Sequence, residues 1–180
     1  EVIARPVGLS PDSVAAQLCG VVRREDSTRR HQPVLLGGVE FKLNRATLTS
    51  KAGLALDQIA AVLLGNPETM AVIDGHTDST GTASYNHVLS YERAVAVRRY
   101  LVSRDVAPWR LLVRGYGLDR PVSDNSTEAG RARNRRVTME MLGDGEEADR
   151  AVAGLLDVVS DRCSRATVTA RISSSARPIR

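Results

Sequence analysis

Asp78, Asn86 and Arg93 are the polar residues of this sequence whose types and spacing could bind a small charged group. Asp78 lies in a short polar loop between Gly75 and Gly81, and the other two lie in the helix predicted to follow. At 100° per residue, Asn86 and Arg93 fall roughly 20° and 40° from the centre of the apolar stripe of that helix. An arginine on the core side of a helix needs a partner or a ligand.

A carboxylate and a guanidinium held a few ångströms apart would bind the two ends of a zwitterion. Asp78 would accept from an ammonium group, and Arg93 would bind a carboxylate in bidentate fashion. Asn86 adds an amide that both donates and accepts. The three residues therefore predict a site for a free amino-acid head group carried on a larger molecule. The alternative is that Asp78 and Arg93 form only a structural ion pair.

Two other kinds of chemistry are compatible with the residue types nearby. His76, Asp78 and His87 suggest a metal site, but His87 falls off the inward face of the predicted helix and no cysteine is near. Ser79 or Ser84 could complete a Ser–His–Asp set, but the sequence has no nucleophile elbow. We therefore predict no metal, no cofactor and no catalytic residue.

The charge of the chain raises the possibility of a polyanionic partner. The 180 residues carry a formal net charge of +4, and the pI is near 9.5. The arginines of Arg131 to Arg136 make nucleic-acid binding the alternative function. No aromatic residue for base stacking interrupts this cluster, and acidic residues alternate with arginines elsewhere, so no nucleic acid is expected. Because no run of 18 apolar residues occurs, no segment is expected to be embedded in a membrane.

Strands and helices alternate through the middle of the chain, which predicts a two-layer α/β domain. Ser84, Thr127 and either Thr49 or Ser50 are the predicted helix N-caps. Apolar patterns predict strands at residues 39–43, 70–74, 110–114 and 137–142, and helices at residues 51–64, 84–103 and 128–133.

The ends of the chain differ from this central domain. Residues 1–32 are predicted to be an N-terminal extension or linker, and residues 33–142 form the α/β domain. Residues 143–180 are predicted to be a C-terminal extension, with a helix at 146–162, a strand at 166–172 and a disordered Ser-rich tail. Cys19 and Cys163 could form one disulfide or remain two thiols.

Four sequence blocks carry a resemblance to a known family. They read G-H-T-D-S-T-G from Gly75, N-H-V-L-S-Y-E-R-A from Asn86, G-Y-G-L-D-R-P-V-S-D-N-S-T from Gly115 and N-R-R-V from Asn134. In this order they resemble the OmpA-like C-terminal domain family, over residues 34–142. The resemblance implies a mixed four-stranded sheet packed by helices on one face, to which residues 143–180 would add an extra helix and strand.

The resemblance also implies a function. Members are non-catalytic domains of the bacterial periplasm and cell envelope, associated with the outer membrane, and they bind peptidoglycan. In that family the Asp of the T-D pair and the Arg of L-S-x-x-R-A bind the free amino-acid end of diaminopimelate in the stem peptide. Those positions are Asp78 and Arg93 here. Because members often dimerise, a homodimer is a further expectation.

Other positions of the family pattern are expected to contribute less. Asn86, Thr77 and Leu89 match further ligand contacts, and Asn44 stands where several members carry Asp. Arg135 and Arg136 match the N-R-R block, for which the resemblance implies a supporting and mainly structural role.

Overall fold

The computed structural model of the chain describes residues 33–142, together with Val14, Gln17 and Leu18. The strand–helix alternation of this region is the one that the sequence predicts. In chain order, the elements are β1 (Val34–Leu35), α1 (Ala52–Leu64), β2 (Met70–Gly75), α2 (Ala83–Val102), a 3₁₀ turn (Pro108–Arg110), β3 (Leu111–Gly115), α3 (Glu128–Asn134) and β4 (Val137–Leu142).

The four strands form one mixed sheet in the order β1-β4-β2-β3. β2 pairs in parallel with β3, because the intervening helix α2 returns the chain to the same end of the sheet. β4 pairs antiparallel with both β2 and β1, and Val34 of β1 lies opposite Met139. The predicted α/β fold with a mixed four-stranded sheet is therefore confirmed.

One side of the sheet packs with α1 and α2 around an aliphatic core. Ile73 of β2 stands opposite Met139 of β4, and Ala71 stands opposite Met141. Because side chains alternate between the two faces of a strand, these four residues point to the same side. They join fully buried helix residues in one cluster, which includes Leu56, Ile59, Leu63, Ala94, Val97 and Leu101.

The carboxyl ends of β2 and β3 lie directly against α2. A Cβ atom on Gly75 would lie 2.0 Å from the carbonyl oxygen of Ser90, and one on Gly115 would lie 2.6 Å from the amide nitrogen of Tyr91. Both distances are far below van der Waals contact, so only glycine fits at these strand ends. This close approach sets the position of the loop after β2 relative to the first half of α2.

Two predicted helix starts are wrong by one or two residues. Thr82, and not Ser84, is the N-cap of α2: its backbone is extended and its hydroxyl accepts the amide of Tyr85 at 3.3 Å. α1 begins at Ala52 after Lys51, and no side chain caps it. The prediction for α3 is confirmed, because the Thr127 hydroxyl accepts the amide of Gly130.

The predicted strand at residues 39–43 does not form. Only Phe41 makes an isolated bridge, to Leu48, because residues 42–47 fold into a tight turn in which Asn44 has a φ of 53°. The edge of the sheet is formed instead by β1, which precedes residues 39–43 in the chain.

The third predicted strand begins one residue later than expected, at Leu111. Arg110 belongs to the 3₁₀ turn, and its buried guanidinium donates to the carbonyl oxygens of Leu63, Asn66 and Thr69.

Several predictions fall outside the described residues. These are the N-terminal extension apart from the three residues named above, the helix at 146–162, the strand at 166–172, the Ser-rich tail and the pairing of Cys19 with Cys163. Within the described part of the chain, every helix is too short or too polar to cross a bilayer.

Candidate functional site

The loop after β2 is fixed by backbone hydrogen bonds to two distant segments. The amide of His76 donates to the carbonyl of Arg136 at 3.0 Å, and the amide of Thr77 donates to the carbonyl of Gly117 at 2.8 Å. His76, Thr77 and Asp78 are all buried. Three consecutive polar side chains are therefore held inside the domain at the carboxyl end of the sheet.

Asp78 is held as an ionised carboxylate. One oxygen accepts the amide of Thr80 at 2.9 Å, and the other accepts Nη1 of Arg135 at 2.8 Å. Burial alone would raise the pKa of Asp78, but the hydrogen bonds from Arg135 and Thr80 outweigh it and hold that pKa below its usual value. The carboxylate is therefore negatively charged at neutral pH and fixed in orientation.

Arg93 is buried on the inward side of α2, as the helical periodicity predicts, with 6% of its surface exposed. Its Nε donates to the carbonyl of Arg45 at 3.2 Å, and its guanidinium carbon lies 5.3 Å from the centre of the Phe41 ring. No carboxylate within residues 33–142 contacts it, and neither Nη atom donates to a described residue. Burial lowers the pKa of Arg93, and the charge of Asp78 opposes this effect.

Asp78 and Arg93 consequently share one neighbourhood without forming the direct ion pair that was the structural alternative. In the region that the structure describes, Asp78 is paired with Arg135 instead. The Asp78 charge thus lies within electrostatic range of a second buried cation, Arg93, whose two terminal amino groups have no acceptor among the described residues. This arrangement leaves hydrogen-bond donors available for an external carboxylate.

The other predicted contact residues lie around this pair. Asn86 is 2% exposed, and its amide donates to the carbonyl of Thr80 at 2.9 Å, which ties α2 to the loop. Leu89 is buried one turn further along the helix. The hydroxyl oxygen of Thr77 is buried and has no hydrogen-bond partner among the described residues.

Asn44 is exposed at the tip of the turn at residues 42–47. Its carbonyl accepts the hydroxyl of Tyr85 at 3.3 Å, while the carbonyl of the next residue, Arg45, accepts from Arg93. Both bonds use the backbone of the turn. The turn thus forms a wall beside Arg93, and the observed contacts at this wall do not depend on the Asn44 side chain.

The two arginines of the N-R-R block have different surroundings. Arg135 bridges two carboxylates, Asp78 through Nη1 at 2.8 Å and Glu128 through Nη2 at 2.7 Å. Arg136 contacts neither: its Nη2 donates to the carbonyl of Arg120, and its own carbonyl anchors the amide of His76. Arg135 therefore touches the site directly, and Arg136 supports the loop through the backbone.

Glu128 is a member of this network that the sequence reasoning did not single out. It is the first residue of α3, and Arg135 directly follows the last residue of α3, seven positions later. Seven residues correspond to about two helical turns, so the two side chains can meet on one side of the helix. That spacing is the signal by which it could have been found.

The histidines do not converge on Asp78. His76 stacks on Tyr116 with ring centres 5.4 Å apart, whereas Nε2 of His87 pairs with Asp119 at 3.1 Å. Among the described residues, no three His, Cys, Asp or Glu side chains are placed to hold a metal ion.

The Arg131–Arg136 segment does not present a row of uncommitted cations. Arg131 pairs with Glu128 at 2.9 Å, and Arg135 and Arg136 are engaged as described above. Arg133 is exposed. The charge on which the nucleic-acid alternative depends is therefore largely neutralised or hydrogen-bonded within the domain.

Comparison with known proteins agrees with this fold and with these motifs. The model of the OmpA family matches residues 40–135. Outer membrane protein A of Bordetella avium is 40% identical over 103 residues, which are 57% of this chain and 53% of that protein. The peptidoglycan-associated lipoprotein of Pseudomonas aeruginosa is 41% identical over 100 residues, 56% of this chain and 59% of its own length.

Among solved structures, the peptidoglycan-associated lipoprotein from Burkholderia pseudomallei superposes with a TM-score of 0.57 at 28% identity. The match covers 68% of this chain and 99% of that one. The chain belongs to the OmpA family. It spans between half and three fifths of the two relatives named above, which are proteins of the bacterial envelope, and the predicted assignment to the cell envelope is confirmed.

Proposed function

We propose that residues 33–142 form a non-catalytic peptidoglycan-binding module that anchors an envelope protein to the cell wall. The ligand is the diaminopimelate head group of the stem peptide, bound between Asp78 and Arg93. The observation that carries this proposal is the environment of the Arg93 guanidinium. Its guanidinium is buried within electrostatic range of the Asp78 carboxylate, which is already paired with Arg135, and its Nη donors have no acceptor among the described residues.

The chemistry of diaminopimelate fits two separated charges. When one end of this residue is built into the peptide, its other end is a complete amino-acid head group, with an ammonium and a carboxylate on one carbon. The carboxylate would take the Nη donors of Arg93 in a bidentate pair, and the ammonium would donate to Asp78. Burial around both residues strengthens each charge-assisted bond relative to water.

The relatives support the same ligand class. Two of the proteins to which this chain is similar are named for their association with peptidoglycan. Thr77 and Leu89 would line the head-group site, and the turn that carries Asn44 would form its outer wall. A homodimer remains a prediction that no observation on the chain tests.

Binding to isolated sacculi tests the proposal. Asp78→Ala and Arg93→Ala should each weaken co-sedimentation by about tenfold to a hundredfold, since each removes a charge-assisted interaction. Glu92→Ala and Arg99→Ala are matched controls, because they remove the same charges from exposed positions of α2. Melting curves recorded beside the binding data identify any variant that has lost its fold.

Two further results would decide the mechanism. Unattached meso-diaminopimelate should compete with sacculi, whereas pimelate, which lacks both ammonium groups, should compete poorly. Normal sacculus binding by folded Asp78→Ala and Arg93→Ala proteins would show that this pair does not hold the ligand.

A further inference from the structure

A continuous chain of charged side chains leads from the site to the surface through α3. Asp78 accepts from Arg135, Arg135 donates to Glu128, and Glu128 accepts from Arg131. The three ion-pair distances are 2.8, 2.7 and 2.9 Å. Glu128, whose side chain is 68% exposed, is thus a surface carboxylate connected to Asp78 through a single intervening residue, Arg135.

The segment that carries this chain is fixed at both ends. Thr127 caps the first turn of α3, and Asn134 at its last position is fully buried. The Asn134 side chain accepts the amides of Val122 and Ser123 and donates to the Ser123 carbonyl. The Arg135 guanidinium therefore reaches Asp78 from a backbone that is already anchored.

A ligand ammonium that approaches Asp78 meets an electrostatic difficulty. Arg135 and Arg93 both lie close enough to influence the charge balance around Asp78, and each would repel a cation. Glu128 is the second carboxylate on Arg135 and offsets part of its positive charge. Without it, Asp78 would be a carboxylate neutralised by its own neighbour.

We propose that Glu128 is a positioning residue for the ligand-binding carboxylate. Through its ion pair with Arg135, Glu128 holds Asp78 in a fixed orientation. The negative charge of Glu128 also offsets enough of the positive charge of Arg135 for Asp78 to accept an ammonium. The inference rests on the proposed function, and it adds a residue that does not touch the ligand. It also assigns Arg135 a part in ligand selection beyond structural support.

Glu128→Gln is the direct test, because glutamine keeps the shape and an acceptor oxygen but removes the charge. The probe is a purified muropeptide with an uncrosslinked meso-diaminopimelate, and its affinity is measured by calorimetry. The variant should bind about threefold to tenfold more weakly with an unchanged melting temperature. Glu92→Gln, the same change at an exposed site on α2, should bind like the unaltered protein.

A double-mutant cycle separates positioning from a general change in charge or stability. If Glu128 acts through Arg135, then Glu128→Gln should have no further effect in an Arg135→Ala background. Equal losses in both backgrounds would overturn the inference.

Wild-type affinity in Glu128→Gln, while Asp78→Ala and Arg93→Ala lose binding, would overturn the inference and leave the proposed function standing. Retained binding by the Asp78 and Arg93 variants would instead overturn the proposed function itself.

Discussion

His76 should make the stability of the domain fall as the solution is acidified. The ring is 4% exposed, stacks on Tyr116, and has a buried Nδ1 with no hydrogen-bond partner among the described residues. Burial, together with repulsion from Arg136, Arg120 and Arg114, lowers the pKa of His76 from 6.5 to about 4. The folded protein therefore holds this histidine in its neutral form.

The direction and size of the effect follow from proton linkage. Between the unfolded pKa of 6.5 and the folded pKa of about 4, the unfolded state binds more protons than the folded state. The contribution of His76 is therefore fully present above pH 6.5 and is lost as the pH falls towards 4. An ideal shift of this size corresponds to about 2 kcal/mol between pH 7 and pH 5, and solvent screening reduces it to about 1 to 2 kcal/mol.

Urea unfolding of the wild type and of His76→Phe at pH 7 and at pH 5 measures this difference. Phenylalanine preserves the stacked ring and cannot bind a proton, so the variant should lose about 1 to 2 kcal/mol less than the wild type on acidification. The carboxylates are the same in both proteins, so their titration cancels in the comparison. Equal losses in the wild type and His76→Phe would refute the assignment of a neutral buried histidine.

Two other predictions concern the elements that hold the site. Thr82→Ala should reduce the free energy of unfolding by about 1 kcal/mol because it removes the N-cap of α2, whereas Ser84→Ala should have little effect. Urea titration of both variants measures the two losses, and a larger loss for Ser84→Ala would contradict the assignment of Thr82 as the N-cap. Asn134→Ala should reduce the free energy of unfolding by about 1 to 3 kcal/mol, because it removes a buried side chain that accepts the part-buried amides of Val122 and Ser123. It should also weaken sacculus binding by loosening α3, and an unchanged stability would show that these bonds do not anchor the helix.

The sequence alone is sufficient to predict which residues of α2 face the core. Leu89, Val97 and Leu101 are buried where the periodicity places them, and Arg93 is buried on the same side. This succeeds because the side-chain direction in a helix depends only on the local backbone, which repeats every 3.6 residues. Gly81 marks the end of the loop for a similarly local reason, its positive φ of 89°, whereas Gly75 is required by the tertiary approach of α2.

Local sequence patterns do not decide between two candidate local structures when the residues are equally suited to both. Both Thr82 and Ser84 carry hydroxyls suited to an N-cap, and only the path of the chain after Gly81, which has a φ of 89°, decides between them. The apolar alternation from Val39 to Leu43 is also suited to a strand. The turn at residues 42–47 overrides it, because the backbone bonds of this turn and those to α2 replace a sheet partner.

The sequence by itself determined the α/β order of elements, the buried position of Arg93 and the family to which the site motifs belong. Only the tertiary structure decided the partner of Asp78. Arg135 lies 57 residues further along the chain, and it reaches Asp78 because β4 pairs with β2 and the carbonyl of Arg136 anchors His76. Pairing between strands is set by the register of the whole sheet, so neighbouring residues carry no record of it. For that reason, the sequence predicted which charges enter the site, and the fold determined how they are shared.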